Sequence, residues 1–170
     1  MKSGRRIAAA ATAAALLLGL AACSTTPSEA TPTATTSSDG AFPATVATKF
    51  GAVTVAAKPT RVVALGWGDA ETALALGVQP VGASDWLAFG GDGVGPWADG
   101  LYAKKPTSIG TLEPSYEQIA ALKPDLILDT KSAGDKARYT KLSAIAPTVD
   151  VPKDGTGYAV TMQKLSLIHI

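Results

Sequence analysis

Trp67, Trp86, Phe89, Trp97, Lys131, Arg138 and Tyr139 carry the side chains best suited to holding a flat or anionic small molecule. All three tryptophans of the chain are among them, in "GWGDAE", "SDWLAFGG" and "GVGPWADG". These stretches read as loops, and tryptophans gathered in loops suggest a wall for an aromatic or planar ligand. Ordinary loop packing is the alternative. Asp69 lies within the first stretch and joins the candidate ligand contacts. Lys131, Arg138 and Tyr139 follow a predicted strand and could meet an anion, or could be solvated charges at a helix start.

The same inventory argues against a reaction. The single histidine is His169, near the end, and the single cysteine is Cys23. Zinc sites need clustered His and Cys ligands, and a Ser-His-Asp arrangement would rest on that one histidine. "GWGDAE" has no Ser or Cys at its turn. Gly66-Trp67-Gly68 lacks the third glycine of a dinucleotide loop, and "GGDGVG" has neither a strand before it nor Lys-Ser/Thr after it. The carboxylates are scattered without an evident pair. Capture fits these residues better than catalysis, so the chain reads as a non-enzyme.

The elements that would position these residues alternate. Strands are predicted at Ala52–Ala56, Arg61–Leu65, Val81–Ser84, Thr107–Gly110, Leu126–Leu128 and Thr148–Val151. Helices are predicted at Asp69–Leu76, Ser115–Leu122 and Asp135–Ala146. Ser115 and Gln118 stand in capping-box spacing, Gly77 ends the first helix, and Pro124 and Pro147 stop the other two. Leu126–Leu128 is a continuous apolar run, as a strand covered on both faces requires. This alternation predicts an α/β fold, a Rossmann-like open, mostly parallel sheet with flanking helices. Ligands of such sheets collect beyond the carboxyl ends of the strands, and every candidate residue falls there. The segment from Ala83 to Pro106 fits no element cleanly, and loops of that length are usually functional or disordered.

The amino terminus carries a different chemistry. Lys2, Arg5 and Arg6 precede an uncharged Ala/Leu run from Ile7 to Ala22, a pattern that predicts a signal peptide over residues 1–22. The run is too short and Ala-rich for a permanent span, which needs about 20 strongly apolar residues. Leu20-Ala21-Ala22-Cys23 resembles the lipobox of bacterial lipoproteins, which implies cleavage before Cys23 and a diacylglycerol on its sulfur. Residues 23–48, rich in Ser, Thr, Ala and Pro, read as a disordered tether with an average reach of about 25–30 Å. Lone Cys23 has no disulfide partner. The formal charge is +1, and residues 1–22 hold three basic and no acidic groups. The mature part is therefore near −2, without the basic footprint of a nucleic-acid binder.

"KPTRVVALGWGDAETALALGVQPVGAS" and "IGTLEPSYEQIAALKPDLIL", behind a lipobox and tether, resemble the substrate-binding lipoproteins of bacterial iron-siderophore ABC importers. That class also handles haem and vitamin B12. The resemblance covers roughly Lys49 to Val151. It implies two α/β lobes joined by a long helix, with a ferric siderophore captured between them and delivered to an ABC permease. The protein would be a monomer, lipid-anchored on the extracytoplasmic face of a membrane, with no cofactor beyond the lipid on Cys23. An acidic residue on each lobe would dock the permease. Asp135 is the only acid in the matching stretch, beside Lys136 and Ala137. Residues 49–158 would form the first lobe. Residues 159–170 would begin the inter-lobe helix or be an artefactual tail, "LSLIHI" resembling a translated sequencing adapter, so a chain truncated before its second lobe is expected. A haem or corrinoid receptor, a surface lipoprotein holding a protein partner and a non-functional fragment are the competing expectations.

Overall fold

The computed structural model describes residues 42–86, 92–155 and 157–169. Its first element corrects the tether boundary. β1 (Ala44–Thr48) pairs antiparallel with β2 (Gly51–Val55), from Ala44 opposite Val55 to Thr48 opposite Gly51. Composition made 44–48 look like tether. Its alternation decides otherwise, because strand side chains point to opposite faces by turns. Val46 and Thr48 are buried while Thr45 and Ala47 are exposed. Lys49 and Phe50 form the tight turn, and Gly51 takes the positive φ of 126° that a side chain would resist. Thr48 Oγ1 donates to Gly51 O at 2.8 Å and accepts from Phe50 N at 3.3 Å. Phe42, also in the expected tether, is half-buried against the core that includes Val46, while residues 23–41, with the signal peptide and Cys23, lie outside the described residues.

Five short strands make the main sheet: β3 (Val62–Ala64), β4 (Gly82–Ser84), β5 (Thr107–Ile109), β6 (Leu126–Leu128) and β7 (Thr148–Val149). Their order is β5-β4-β3-β6-β7 and every pairing is parallel. β3 and β6 are buried at every residue, as central parallel strands must be. Helices α1 (Asp69–Ala75), α2 (Tyr116–Ala121), α3 (Lys136–Ser143) and α4 (Tyr158–His169) complete the fold. The α/β fold with a mostly parallel, helix-flanked sheet is as the alternation predicts.

Strand alternation divides the core in two. Val62, Leu126, Leu128 and Val149 pack with Val46, Val53 and Val55 of the hairpin, Ala73 of α1 and Leu165 of α4. Val63, Leu65 and Ile127 point the other way, onto Ile119 of α2 and Leu142 of α3. Caps fix where the helices begin. Gly68, at φ 81°, precedes α1. Ser115 Oγ accepts from Gln118 N at 3.3 Å, and Asp135 Oδ1 accepts from Arg138 N at 2.8 Å.

Asp125 ties the entry of β6 to that of β3. Its carboxylate accepts from Thr60 N at 2.8 Å, Thr60 Oγ1 at 2.7 Å and Arg61 N at 2.9 Å. Partial burial pulls its pKa upward, but these three bonds outweigh it and hold the group below its ordinary value. Asp125→Ala is expected to lower folding stability by about 1–2 kcal/mol, measured by urea unfolding. An unchanged midpoint would show the bonds to be replaced by water without loss.

Candidate functional site

The sheet places its own binding crevice. From β3 the chain moves outward to β4 and β5, then returns to lay β6 on the other side of β3. The order of strands reverses between β3 and β6, and open α/β sheets bind ligands beyond the carboxyl ends at such a switch point. The ends that meet there are Leu65-Gly66-Trp67-Gly68 and Asp129-Thr130-Lys131. The ladder continues one step past β3, with Leu65 N donating to Leu128 O at 2.8 Å. Beyond it the two turns diverge, and Trp67 N donates to Lys131 O at 3.4 Å.

Asp69 fills the gap between them. It is fully buried, so it does not line the ligand surface as its position in the sequence suggests. Its Oδ2 accepts from Gly66 N at 2.9 Å and from Thr130 N at 3.0 Å, and its Oδ1 accepts from the Thr130 hydroxyl. Burial raises its pKa from 3.8 to about 6, against the opposing pull of the Thr130 bonds. Gly66 leaves room for this carboxylate. A Cβ there would collide with Asp69 Oδ2 and stand 2.7 Å from Lys131 N and 2.9 Å from Thr130 N. Gly66→Ala is therefore expected to destabilise the fold by about 1–3 kcal/mol through overpacking against backbone that cannot yield. Thermal unfolding checks it, and a Tm equal to wild type would contradict the close packing.

Arg138 is the second residue whose role the structure corrects. Its guanidinium makes a buried, bidentate pair with Asp129, Nε to Oδ2 at 2.8 Å and Nη2 to Oδ1 at 2.7 Å. Its Nη1 donates to Thr111 O and Leu112 O, both at 3.3 Å. Burial favours its neutral form, yet the Asp129 bonds and charge outweigh that and raise its pKa. Its donors are committed to holding the loops after β5 and β6 to α3, not to an incoming anion.

The aromatic residues are placed differently from one another. Trp67 is 54% exposed in the turn after β3, and Trp97 is 71% exposed in a short 3-10 helix, Pro96–Ala98, of the β4–β5 connection. Trp86 is half-buried, and its Nε1 donates to Leu65 O at 2.7 Å, which lays the indole against the end of β3. Glu71, in the first turn of α1, accepts from Gly95 N at 3.3 Å and so holds the glycine-rich loop to the helix. Phe89 lies outside the described residues. Tyr139 packs against Phe50 with ring centroids 4.9 Å apart, and Lys136 Nζ stands 4.9 Å from one ring centre and 4.7 Å from the other. Lys131 is half-buried at the switch point. Asp135 is exposed and, besides capping α3, lines a groove of about 530 Å³ with Leu112, Glu113, Tyr116, Arg138 and Lys141. An apolar recess of about 20 Å³ is lined instead by core residues such as Val62, Leu126 and Leu165.

Sequence reasoning missed Phe50, Glu71, Thr130 and Asp150. Phe50 stands at the start of the expected lobe, but nothing local shows that its ring meets Tyr139. Asp150, at the end of β7, is fully buried, and burial raises its pKa to about 6 against a 2.6 Å bond from Val151 N. Among the described residues no group of three His, Cys, Asp or Glu could hold a metal, and no helix is long and apolar enough to cross a membrane.

Residues 62–167 match the family model described as periplasmic binding protein. The chain belongs to the periplasmic binding protein family. This periplasmic binding protein is 44% identical over 99 residues to the probable siderophore-binding lipoprotein YfiY of Bacillus subtilis, covering 56% of the chain and 28% of the relative. Its fold matches a periplasmic solute binding protein from Mycobacterium smegmatis with a TM-score of 0.65 at 35% identity, over 74% of this chain and 47% of that one. It also matches Staphylococcus aureus SirA complexed with staphyloferrin B, with a TM-score of 0.59 at 31% identity, over 74% and 42% of the two chains. The chain thus spans less than half the length of each of these proteins.

Proposed function

We propose that this periplasmic binding protein captures a ferric siderophore outside the cytoplasm and delivers it to an ABC importer permease. The observation that carries this is Trp67, exposed at the switch point of an open parallel sheet. An exposed indole at that place offers a flat apolar face to a ligand. Trp86, Trp97, Lys131 and Tyr139 complete this lobe's side of the ligand surface, with Phe89 in the intervening loop, while Asp69 and Arg138 shape it from beneath. The relatives support the ligand class: YfiY is named a probable siderophore-binding lipoprotein and SirA is seen with staphyloferrin B. The ligand is then shared with a second lobe across a cleft, with α4 leading toward it. The protein works as a monomer and catalyses no reaction. Lipid on Cys23 holds it to the extracytoplasmic face of a membrane, and the exposed Asp135 contributes to permease docking.

Adding ferric citrate, a ferric catecholate or a ferric hydroxamate to the purified protein is expected to quench tryptophan emission saturably for at least one chelate. Trp67→Leu is expected to remove most of that quench. Unchanged emission across all three, and with haemin, would refute the reading.

A further inference from the structure

We infer that Asp69 is a positioning residue for ligand capture, its buried carboxylate clamping the β3–α1 turn to the β6–α3 turn and so fixing where Trp67 and Lys131 stand. The inference rests on the capture reading above and says how that site is built.

Parallel ladders stop at the strand ends, and the amides just beyond them need acceptors if they are buried. At the switch point two such amides, Gly66 N and Thr130 N, face the same gap from neighbouring strands. One carboxylate serves both through Oδ2, and its Oδ1 takes the Thr130 hydroxyl. Asp69 can reach them because it opens α1, where the helix N-terminus favours a negative charge. Thr130, like Asp69, is fully buried.

These donors are two amides and a hydroxyl, none of them a cation. Burying a carboxylate without a cation is expensive, even where it satisfies two amides and a hydroxyl. A residue that breaks the local rule for a core position points to a positional role. That role follows from sequence distance. Asp69 lies two residues from Trp67, and its partner Thr130 lies one residue from Lys131, so one group sets the aromatic and the ammonium relative to each other. The clamp also plugs the switch-point crevice. A ligand therefore rides above the strand ends, on the loop side chains, rather than entering between β3 and β6.

The test uses near-isosteric changes that keep the fold. Thr130→Val removes only the hydroxyl donor, Thr130→Ser restores it, and Asp69→Asn exchanges one acceptor for a donor. Ile119→Val, in the core beneath α2, lowers stability without touching the clamp. The probe is whichever of ferric citrate, ferric catecholate and ferric hydroxamate binds wild type best, titrated by tryptophan emission. Thr130→Val is expected to weaken binding by about 5- to 10-fold, the equivalent of one hydrogen bond. Asp69→Asn should weaken it at least as much, while Thr130→Ser and Ile119→Val leave it within about twofold. Wild-type affinity in folded Thr130→Val and Asp69→Asn overturns the inference, as does an equal loss in Thr130→Ser. If wild type binds no chelate, the capture reading fails. The clamp is then judged by amide exchange in Asp69→Asn. Faster exchange at Gly66 and Thr130 with Leu128 unchanged upholds it, and unchanged exchange at all three overturns it.

Discussion

Replacing Arg138 by methionine is expected to lower folding stability by about 3–5 kcal/mol, because it strands a buried carboxylate without its counter-ion. Asp129 is fully buried and Arg138 nearly so, and their two parallel bonds of 2.8 and 2.7 Å satisfy both carboxylate oxygens. The same guanidinium reaches Thr111 O and Leu112 O, so its loss also frees the loop after β5. The decisive comparison is the double variant. Asp129→Asn combined with Arg138→Met removes the stranded charge and should recover a large part of the loss. Denaturant unfolding of the three variants reads this directly. A loss under about 1 kcal/mol for Arg138→Met would show that water or a neighbour neutralises Asp129. If Arg138→Met kept its stability and lost only chelate affinity, the guanidinium would be a ligand contact after all.

Arg138 also marks where the sequence stops being legible. Strand and helix periods, caps and proline stops reveal nearly every element of the sheet, since each is a local signal. Leu126–Leu128 is apolar at all three positions and could only be a covered strand. Ser115 and Asp135 cap helices in the spacing their side chains require. The placement of loops at the ligand end follows from strand polarity alone, and Trp67 is exposed there. What the sequence hides is the pairing of charges across loops. Nothing local distinguishes an arginine awaiting an anion from one already bound to an aspartate nine residues earlier. Asp69 is hidden for the same reason, since its partner Thr130 lies 61 residues away in the turn after β6. Both sit at the end of the sheet where ligand contacts are expected, but a level below the surface. The tether boundary failed differently. Composition was weighed over a stretch of Ser, Thr and Ala, while the period-two burial inside it was carried by only a few β-branched residues.

The buried aspartates make an unusual pH dependence the other large effect. Burial raises Asp69 and Asp150 from 3.8 to about 6. Between those values the folded protein holds protons that the unfolded chain has released. Stability from these two groups is therefore fully present below about pH 4 and is lost as the pH rises through 6. A shift of two units corresponds to about 3 kcal/mol for one group, so acidifying from pH 7 to 5 is expected to stabilise the fold by a few kcal/mol. Asp125 works in the opposite sense. Its lowered pKa supplies stability above its ordinary value that disappears as the pH falls through its folded one. The two trends together place the maximum at about pH 4, below the neutral optimum of a protein whose carboxylates are mainly paired. Tm measured from pH 3.5 to 7.5 should rise on the acid side of neutrality, pass through that maximum and then fall. Asp69→Asn and Asp150→Asn should each flatten the segment between pH 5 and 7. A Tm that falls steadily from pH 7 to 5 would mean that both carboxyls ionise in the folded protein as they do in the unfolded chain. Burial would then not be what governs Asp69 within the clamp.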